Sequence, residues 1–269
     1  SGIDRVVIAT LDPFPAVKGK GFKGLKNAGI TVDVGLLEQE ALQLTRPFRK
    51  LVTDGRPWVI AKWAMSLDGI LATGSREDRW LSTEASRKLV HELRGRVDGI
   101  LVGIRTALID DPLLTPRPRG PRLPLRIVLD NQARLPVSSQ LVQSSHEAPV
   151  LVATGPDASS DRIDTLRNAG CEVWVAPTVE KQDQLNALLE ELGRRKHTHL
   201  LVEGGPQVLE SFFDAHLVDE VWTFIAPRII GSDTQEHSDL PSFTKTPPIH
   251  IEHIDHPGGD ILLRGCTHT

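Results

Sequence analysis

Lys62 is the only charged residue in a long apolar run, Pro57–Met65, which predicts a buried β-strand. An unpaired ammonium group costs several kcal/mol or more to bury. Lys62 therefore either lies at the solvated mouth of the strand or has a chemical task there. The sequence alone leaves both interpretations open.

A second candidate is the turn Glu203–Pro206, which lies between a predicted strand at 199–202 and an amphipathic helix. Its two glycines let a ligand approach the backbone closely, and Pro206 suits the first position of a helix. The free N–H groups that follow form an anion site suited to a pyrophosphate. The spacing is neither GxGxxG nor a P-loop, so a Rossmann nucleotide fold is not indicated, and a purely structural turn remains an alternative.

Other polar residues have ordinary interpretations when each is taken alone. Arg94 would end a helix in solvent, Asp110–Pro112 would form a turn, and Trp80 would lie in the core. The ten histidines show no HxxxH or HExxH ligand set, and the paired aspartates lack a third carboxylate. We therefore expect no metal site. The sequence also lacks the GxSxG motif of a hydrolase.

The order of the predicted elements determines the fold class. Strands that alternate with helices of 10–15 residues predict an α/β fold with a largely parallel sheet. Two late β runs, 249–255 and 260–265, read as a hairpin, which makes the sheet mixed. Residues 3–50 read as strand–helix–strand–helix, with a domain boundary expected at 53–57.

One predicted helix carries Arg94 near its C-terminal end. Ser82 or Thr83 is expected to cap its N-terminus. Ala85, Leu89 and Leu93 recur at every fourth position, which predicts the buried face of this helix.

Composition excludes several classes of protein. The net charge of −4 and the pI near 6.2 do not suit a nucleic-acid-binding or anionic-membrane surface. No apolar run approaches the roughly 20 residues of a membrane span. Cys171 and Cys266 form no CxxC pair, which favours a reducing cytoplasm. Ser1 stands where a methionine is expected, so the sequence reads as a fragment.

Taken in order, these residues resemble a known family, the bifunctional riboflavin-biosynthesis deaminase–reductases. The resemblance to the reductase domain covers residues 57 to about 265. It is carried by the blocks Lys62–Gly69, Trp80 with Ser82, Arg94, Gly103–Thr106, Asp110–Arg117, Arg126–Asp130, Val202–Pro206 and Ala226–Gly231. Residues 1–50 are similar to the end of the cytidine-deaminase-like domain, with 51–269 as the reductase domain. Because the deaminase zinc signature is absent, deamination is not expected of this chain.

The resemblance implies a dihydrofolate-reductase-like α/β fold and an NADPH-dependent oxidoreductase. The implied reaction reduces the ribosyl group of 5-amino-6-(5-phosphoribosylamino)uracil to ribityl. The implied catalytic residues are Lys62, Asp110 and Glu203. The implied NADPH contacts are Ala64, Trp80, Thr106, Asp110, Asn131, Gly205, Pro206, Gln207, Val208, Leu209, Glu210 and Ser211. The implied substrate contacts are Asp78, Arg94, Leu114, Arg117 and Glu203, with the two arginines gripping the phosphate.

One position departs from the family pattern. The family usually has a serine where this chain has Asp78, and a carboxylate near a phosphate would repel it. Arg76 and Arg79 flank this aspartate and could neutralise it. The residue that selects the 2′-phosphate of NADPH is not readable, and Arg134 is a candidate only by its nearness to Asn131.

Two other functions stay open. A stand-alone reductase would act on the undeaminated diaminopyrimidine, whereas residues 3–50 favour the bifunctional parent. A non-catalytic nucleotide-binding module would need neither the phosphate arginines nor Lys62. We expect a cytoplasmic homodimer with a small-molecule substrate, no nucleic-acid partner and no membrane partner.

Overall fold

The structure is a computed structural model that describes residues 2–14, 17, 19–71, 81–231 and 247–267. Two residues selected from the sequence, Trp80 and Asp78, lie outside the described residues, as do Arg76 and Arg79.

The chain forms two compact units, Ser1–Trp58 with Glu190–Thr198 and Val59–Leu189 with His199–Thr269. The first unit has a parallel pair of strands and two helices. Its elements are β1 (Arg5–Ile8), α1 (Lys20–Asn27), β2 (Thr31–Val34) and α2 (Glu38–Asp54). This order confirms the strand–helix–strand–helix prediction for residues 3–50. Helix α2 extends past its predicted end near Lys50 and stops at Gly55, whose φ of 70° suits a left-handed cap.

The rest of the chain alternates strands and helices. The strands are β3 (Trp58–Ser66), β4 (Gly99–Gly103), β5 (Leu125–Leu129), β6 (Val150–Thr154), β7 (Glu172–Val175), β8 (His199–Val202), β9 (Glu220–Ala226), β10 (His250–Asp255) and β11 (Ile261–Cys266). The helices are α3 (Glu84–Arg94), α4 (Ile104–Asp110), α5 (Gln140–Gln143), α6 (Ser160–Asn168), α7 (Lys181–Arg194) and α8 (Pro206–Asp214).

Strands β3 to β11 form one sheet in the order β10-β11-β9-β3-β8-β4-β5-β6-β7. The pairs β3–β9, β4–β8, β4–β5, β5–β6 and β6–β7 are parallel. The pairs β9–β11 and β10–β11 are antiparallel, and a 3-10 turn at Pro257–Gly259 joins the last two strands. The predicted mixed, mostly parallel sheet and its closing hairpin are therefore confirmed.

The centre of the sheet is closed to solvent. Every residue of β4 and β6 is buried, as expected of parallel strands that are covered on both faces. A ligand can therefore reach this sheet only near the strand ends and the loops that follow them. In open parallel sheets, ligands bind outside the carboxyl ends of the strands.

Helix α4 lies where the sequence predicts only an acidic turn. It starts directly after β4 and ends at Asp110, so this carboxylate is held by a helix rather than by a turn. Asp111 follows with a φ of 39°, and Pro112 cannot continue the helix. A helix of seven residues has too few positions to show a periodic apolar pattern, which is why the sequence did not reveal it.

Candidate active site

Lys62 lies in the middle of β3, opposite Trp222 of β9. Its side chain is only 18% exposed, and its Nζ lies 3.9 Å from a carboxylate oxygen of Glu203 and 5.8 Å from the ring centroid of Phe224. Burial lowers the pKa of Lys62; the charge of Glu203 opposes this effect and the charge of Arg94 adds to it. Lys62 is thus a largely enclosed lysine whose Nζ lies near a carboxylate, and not a solvated strand-end lysine.

Glu203 follows β8 directly and joins the two predicted cations. Its side chain is 8% exposed, and it accepts hydrogen bonds from Nε of Arg94 at 2.6 Å and Nη2 at 2.9 Å. Burial alone would raise the pKa of Glu203, but the charge and hydrogen bonds of Arg94, with Lys62 and His91, hold this pKa below its usual value. The bidentate geometry is the strongest form of a guanidinium–carboxylate pair.

Helix α3 positions Arg94, which is its last residue. Thr83 caps the helix, as predicted, by accepting the N–H of Ser86. The predicted buried face is right at Leu93, which is buried, and at Leu89, which is half-buried and packs against the core. It is wrong at Ala85, which is exposed, whereas Ser86 is buried. The reason is polar, because the Oγ of Ser86 donates to the buried carboxylate of Asp260 at 2.5 Å.

The sequence missed His91, which lies on α3 three residues before Arg94 and lines the same cavity. Burial lowers the pKa of His91, and the charges of Arg94 and Arg117 lower it further. Its Nδ1 is buried and has no hydrogen-bond partner among the described residues. The i,i+3 spacing from Arg94 was the only signal in the sequence.

The diglycine turn has a packing role as well as an open backbone. A Cβ on Gly204 would lie 2.5 Å from Cβ of Val208, so this glycine is required by the close approach of α8. Among the residues that the structure describes, a Cβ on Gly205 would approach Oγ1 of Thr106, at 3.2 Å. The N–H of Gly205 donates to the same Thr106 oxygen at 3.2 Å, which ties the turn to α4. Pro206 has no N–H, and the N–H groups of Val208 and Leu209 donate to the carbonyl of Gly205. The N–H of Gln207, which lines the cavity, is therefore the first one of α8 that a phosphate group could use.

A single cavity of about 1450 Å³ runs along the carboxyl ends of β8, β4, β5, β6 and β7 and includes the Lys62 side of β3. It brings together most of the residues selected from the sequence. Those that line it are Lys62, Ala64, Arg94, Thr106, Asp110, Leu114, Asn131, Glu203, Gly205, Pro206, Gln207, Val208, Leu209 and Ser211. Arg117 and Glu210 are not among the lining residues, although the charge of Arg117 reaches His91. The N-terminus of α8 is part of the lining of this cavity.

The loop that carries Leu114 is fixed from inside the protein by Arg126. Leu114 is buried and has a φ of 54°. Arg126 is fully buried, and its guanidinium donates to the backbone oxygen of Leu113 at 3.1 Å and to that of Ser144 at 3.0 Å. This arginine therefore holds the loop against the segment that follows α5.

The carboxylate of Asp68 connects the turn at 66–69 with the segment 226–231 by hydrogen bonds. Its carboxylate accepts the N–H of Gly231 at 2.9 Å and that of Ile230 at 3.2 Å. Hydrogen bonds from the Ser66 side chain and from these backbone groups lower the pKa of Asp68 to about 2. These hydrogen bonds fix the turn that follows β3.

Within the parts of the chain that the structure describes, no group of three His, Cys, Asp or Glu side chains could hold a metal ion. Over the same residues, no helix combines the length and the apolar character needed to cross a membrane.

Comparison with known proteins gives one family. The family model described as RibD C-terminal domain matches residues 57–263. The riboflavin biosynthesis protein RibD of Aquifex aeolicus is 40% identical over 232 residues, which make up 86% of this chain and 63% of that protein. RibD of Escherichia coli is 33% identical over 279 residues, covering 98% of this chain and 74% of that protein. This chain thus spans less than two thirds of the Aquifex relative.

Solved structures agree with the family match. A Thermotoga maritima protein described as a diaminohydroxyphosphoribosylaminopyrimidine deaminase/5-amino-6-(5-phosphoribosylamino)uracil reductase has a TM-score of 0.80 at 32% identity, covering 98% of this chain and 72% of its own. Acinetobacter baumannii RibD has a TM-score of 0.80 at 28% identity, with the same coverage. These neighbours confirm the predicted α/β fold class with its mostly parallel sheet.

Proposed function

The chain belongs to the family of RibD C-terminal domains, and from this premise we propose that it is an NADPH-dependent reductase of riboflavin biosynthesis. Its substrate is 5-amino-6-(5-phosphoribosylamino)uracil, whose ribosyl group becomes ribityl. The observation that carries the proposal is the shared cavity, because Lys62 and Glu203 open onto the same space as the diglycine turn at Gly205.

The nicotinamide, when bound, supplies a hydride to C1 of the sugar, and the protein supplies positioning and charge. As C1 receives the hydride, its bond to the ring oxygen breaks and that oxygen takes a proton. We assign the proton to the ammonium group of Lys62. Burial lowers the pKa of this group, which makes it a better acid than a solvated lysine.

Glu203 and the arginines have complementary tasks. Glu203 keeps Lys62 charged and oriented, and its oxygens can accept N–H groups of the pyrimidine. Because Nε and Nη2 of Arg94 are bound to Glu203, its Nη1 is the nitrogen left to contact the substrate phosphate. Arg117 completes the phosphate site from the loop after α4. Leu114 and Asp78 remain proposed substrate contacts.

The cofactor lies along the rest of the cavity. The proposed contacts are those inferred above: Ala64, Trp80, Thr106, Asp110, Asn131 and Gly205 to Ser211. The N-terminus of α8 holds the pyrophosphate, and Thr106 fixes the turn from which that helix starts.

Three further proposals concern the protein as a whole. Residues 1–50 are the C-terminal remnant of a cytidine-deaminase-like domain and 51–269 form the reductase domain, in support of which the family match begins at residue 57. A cytoplasmic location is supported by the two cysteines, which are buried and free. A homodimer is proposed from the family alone, and sedimentation of the purified chain tests it.

The test is consumption of NADPH with the deaminated and the undeaminated pyrimidine in parallel. Turnover of the uracil substrate supports the proposal. Preference for the undeaminated compound would favour the alternative reductase. NADPH binding without turnover of either would favour a non-catalytic module.

A further inference from the structure

The end of the cavity away from Lys62 carries positive charge. Residues that follow β5 and β7 line it, and among them are Arg134, in the loop after β5, and Lys181, at the start of α7. The sheet order places β5 two strands beyond β8, a distance of about 10 Å, and β7 two strands beyond β5. A dinucleotide with its nicotinamide at Lys62 and its pyrophosphate at the Gly205 turn therefore extends its adenosine half toward this end.

The acidic residue at the end of β5 is turned away from that space. Asp130 is fully buried, and its carboxylate accepts the backbone N–H groups of Arg134 and Leu135, the latter at 2.8 Å. It does not line the cavity. In Rossmann-fold enzymes that use NAD, a carboxylate binds the 2′-hydroxyl of the ribose, and a carboxylate in that place would repel a 2′-phosphate. Asp130 cannot act in this way, because its carboxylate is buried and bound to backbone N–H groups.

The described residues that the loops after β5, β6 and β7 contribute to the cavity include no carboxylate. The two lining aspartates, Asp110 and Asp111, belong to the end of α4, and the Asp111 carboxylate accepts the N–H of Gln140 at 2.8 Å. Arg134 lies 3.8 Å from the buried Asp130, and its side chain is 47% exposed. The Asp130 contact orients the guanidinium while leaving part of it accessible. Lys181, the first residue of α7, is also exposed.

We propose that Arg134 and Lys181 together bind the 2′-phosphate of the cofactor and thereby select NADPH over NADH. This inference rests on the proposed function. The guanidinium offers paired donors to a phosphate, and the ammonium adds a compact charge from the start of α7. The sequence suggested Arg134 only by its nearness to Asn131, and it gave no reason to select Lys181, which lies 47 positions further along the chain.

Binding of ligands without turnover tests the assignment. Isothermal titration of the whole chain with NADPH, NADH, 2′,5′-ADP and 5′-AMP compares wild type with Arg134→Ala, Lys181→Ala and their double variant. In each single variant, the affinity for NADPH and for 2′,5′-ADP is expected to fall roughly tenfold or more. Binding of NADH and 5′-AMP is expected to stay unchanged. Lys181→Arg is expected to keep most of the NADPH affinity that Lys181→Ala loses. The difference in NADPH affinity between the wild type and the alanine variants should be smaller at high salt.

Arg167→Ala is the matched control, because this exposed arginine of α6 pairs with Asp164 and does not line the cavity. Equal losses for NADPH and NADH, or unchanged NADPH affinity in the double variant, would overturn the assignment of the two cations. A wild-type chain that binds neither NADPH nor 2′,5′-ADP would instead overturn the proposed function itself.

Discussion

The two carboxylate oxygens of Glu203 hold the guanidinium of Arg94 at 2.6 and 2.9 Å, while one of them also lies 3.9 Å from the ammonium of Lys62. Glu203 thus lies between a cation assigned to the reacting sugar and a cation assigned to its phosphate. Because both cations depend on one buried carboxylate, a change at Glu203 acts on both ends of the substrate.

Glu203→Gln keeps the shape of the side chain and removes its charge. We expect the free energy of unfolding to fall by about 3 kcal/mol or more, because Lys62 and Arg94 lose their shared partner. Urea unfolding measures this change. Glu191→Gln is the control, since Glu191 is 14% exposed and also pairs with two arginines, Arg194 and Arg195. Stability loss without any loss of activity at Glu203 would remove it from the site.

Lys62→Met removes the proposed proton donor and fills its space with an apolar chain. The turnover number should fall by at least about 100-fold while NADPH binding is retained. In the wild type, activity should fall as pH rises through the pKa of Lys62, which burial holds below the ordinary 10.5. A pH–rate profile checks this. Full activity of the methionine variant at any pH would contradict the role.

Arg117→Ala tests the phosphate site. Binding of the phosphorylated substrate should weaken by roughly 2–3 kcal/mol, whereas its dephosphorylated analogue should bind as before. Because the charge of Arg117 lowers the pKa of His91, the variant should also show a higher pKa for this histidine by NMR titration. Equal effects on both ligands would place the phosphate elsewhere.

Substitutions at the two glycines of the turn should have different effects, one on stability and the other on NADPH binding. Gly204→Ala should lower the melting temperature, because its Cβ would lie 2.5 Å from the Cβ of Val208. Val208→Gly in the same chain removes that Cβ and should recover part of the loss. Gly205→Val should abolish quenching of tryptophan fluorescence by NADPH with a smaller loss of stability. Quenching that survives in Gly205→Val would separate the cofactor from this turn.

Asp68→Asn should change how the free energy of unfolding depends on pH under acidic conditions. The pKa of Asp68 is about 2 in the folded chain and 3.8 in the reference state, so its contribution is present above 3.8 and is lost as pH falls toward 2. Unfolding measured across this range should be less pH-dependent in Asp68→Asn than in the wild type. Asp214→Asn, an exposed change on α8, is the control. If the free energy of unfolding changes with pH in the same way in the wild type and in Asp68→Asn, the hydrogen bonds of Asp68 do not stabilise the fold.

Local patterns were sufficient to predict most of the fold. The β runs and the Thr83 cap are encoded within a few residues, so the strand order along the chain and the start of α3 could be predicted. The burial of Ser86 on α3 could not be predicted, because its hydroxyl donates to a carboxylate 174 positions away. Burial there follows a polar contact that no local apolar period contains.

The site was predicted unevenly for the same reason. Lys62 and Glu203 lie in patterns that are unusual on their own, a charge within an apolar strand and an acid before two glycines. His91 and Lys181 lie in ordinary helices, and only the tertiary fold brings them to the cavity. The pairing of Arg94 with Glu203 spans 109 positions and leaves no trace in either local pattern.

The most direct test of the account is NADPH consumption by the purified chain with 5-amino-6-(5-phosphoribosylamino)uracil, with the product identified by mass. We predict one ribityl product for each NADPH consumed, and no product from Lys62→Met. A wild-type chain that binds both compounds yet transfers no hydride would contradict the central claim.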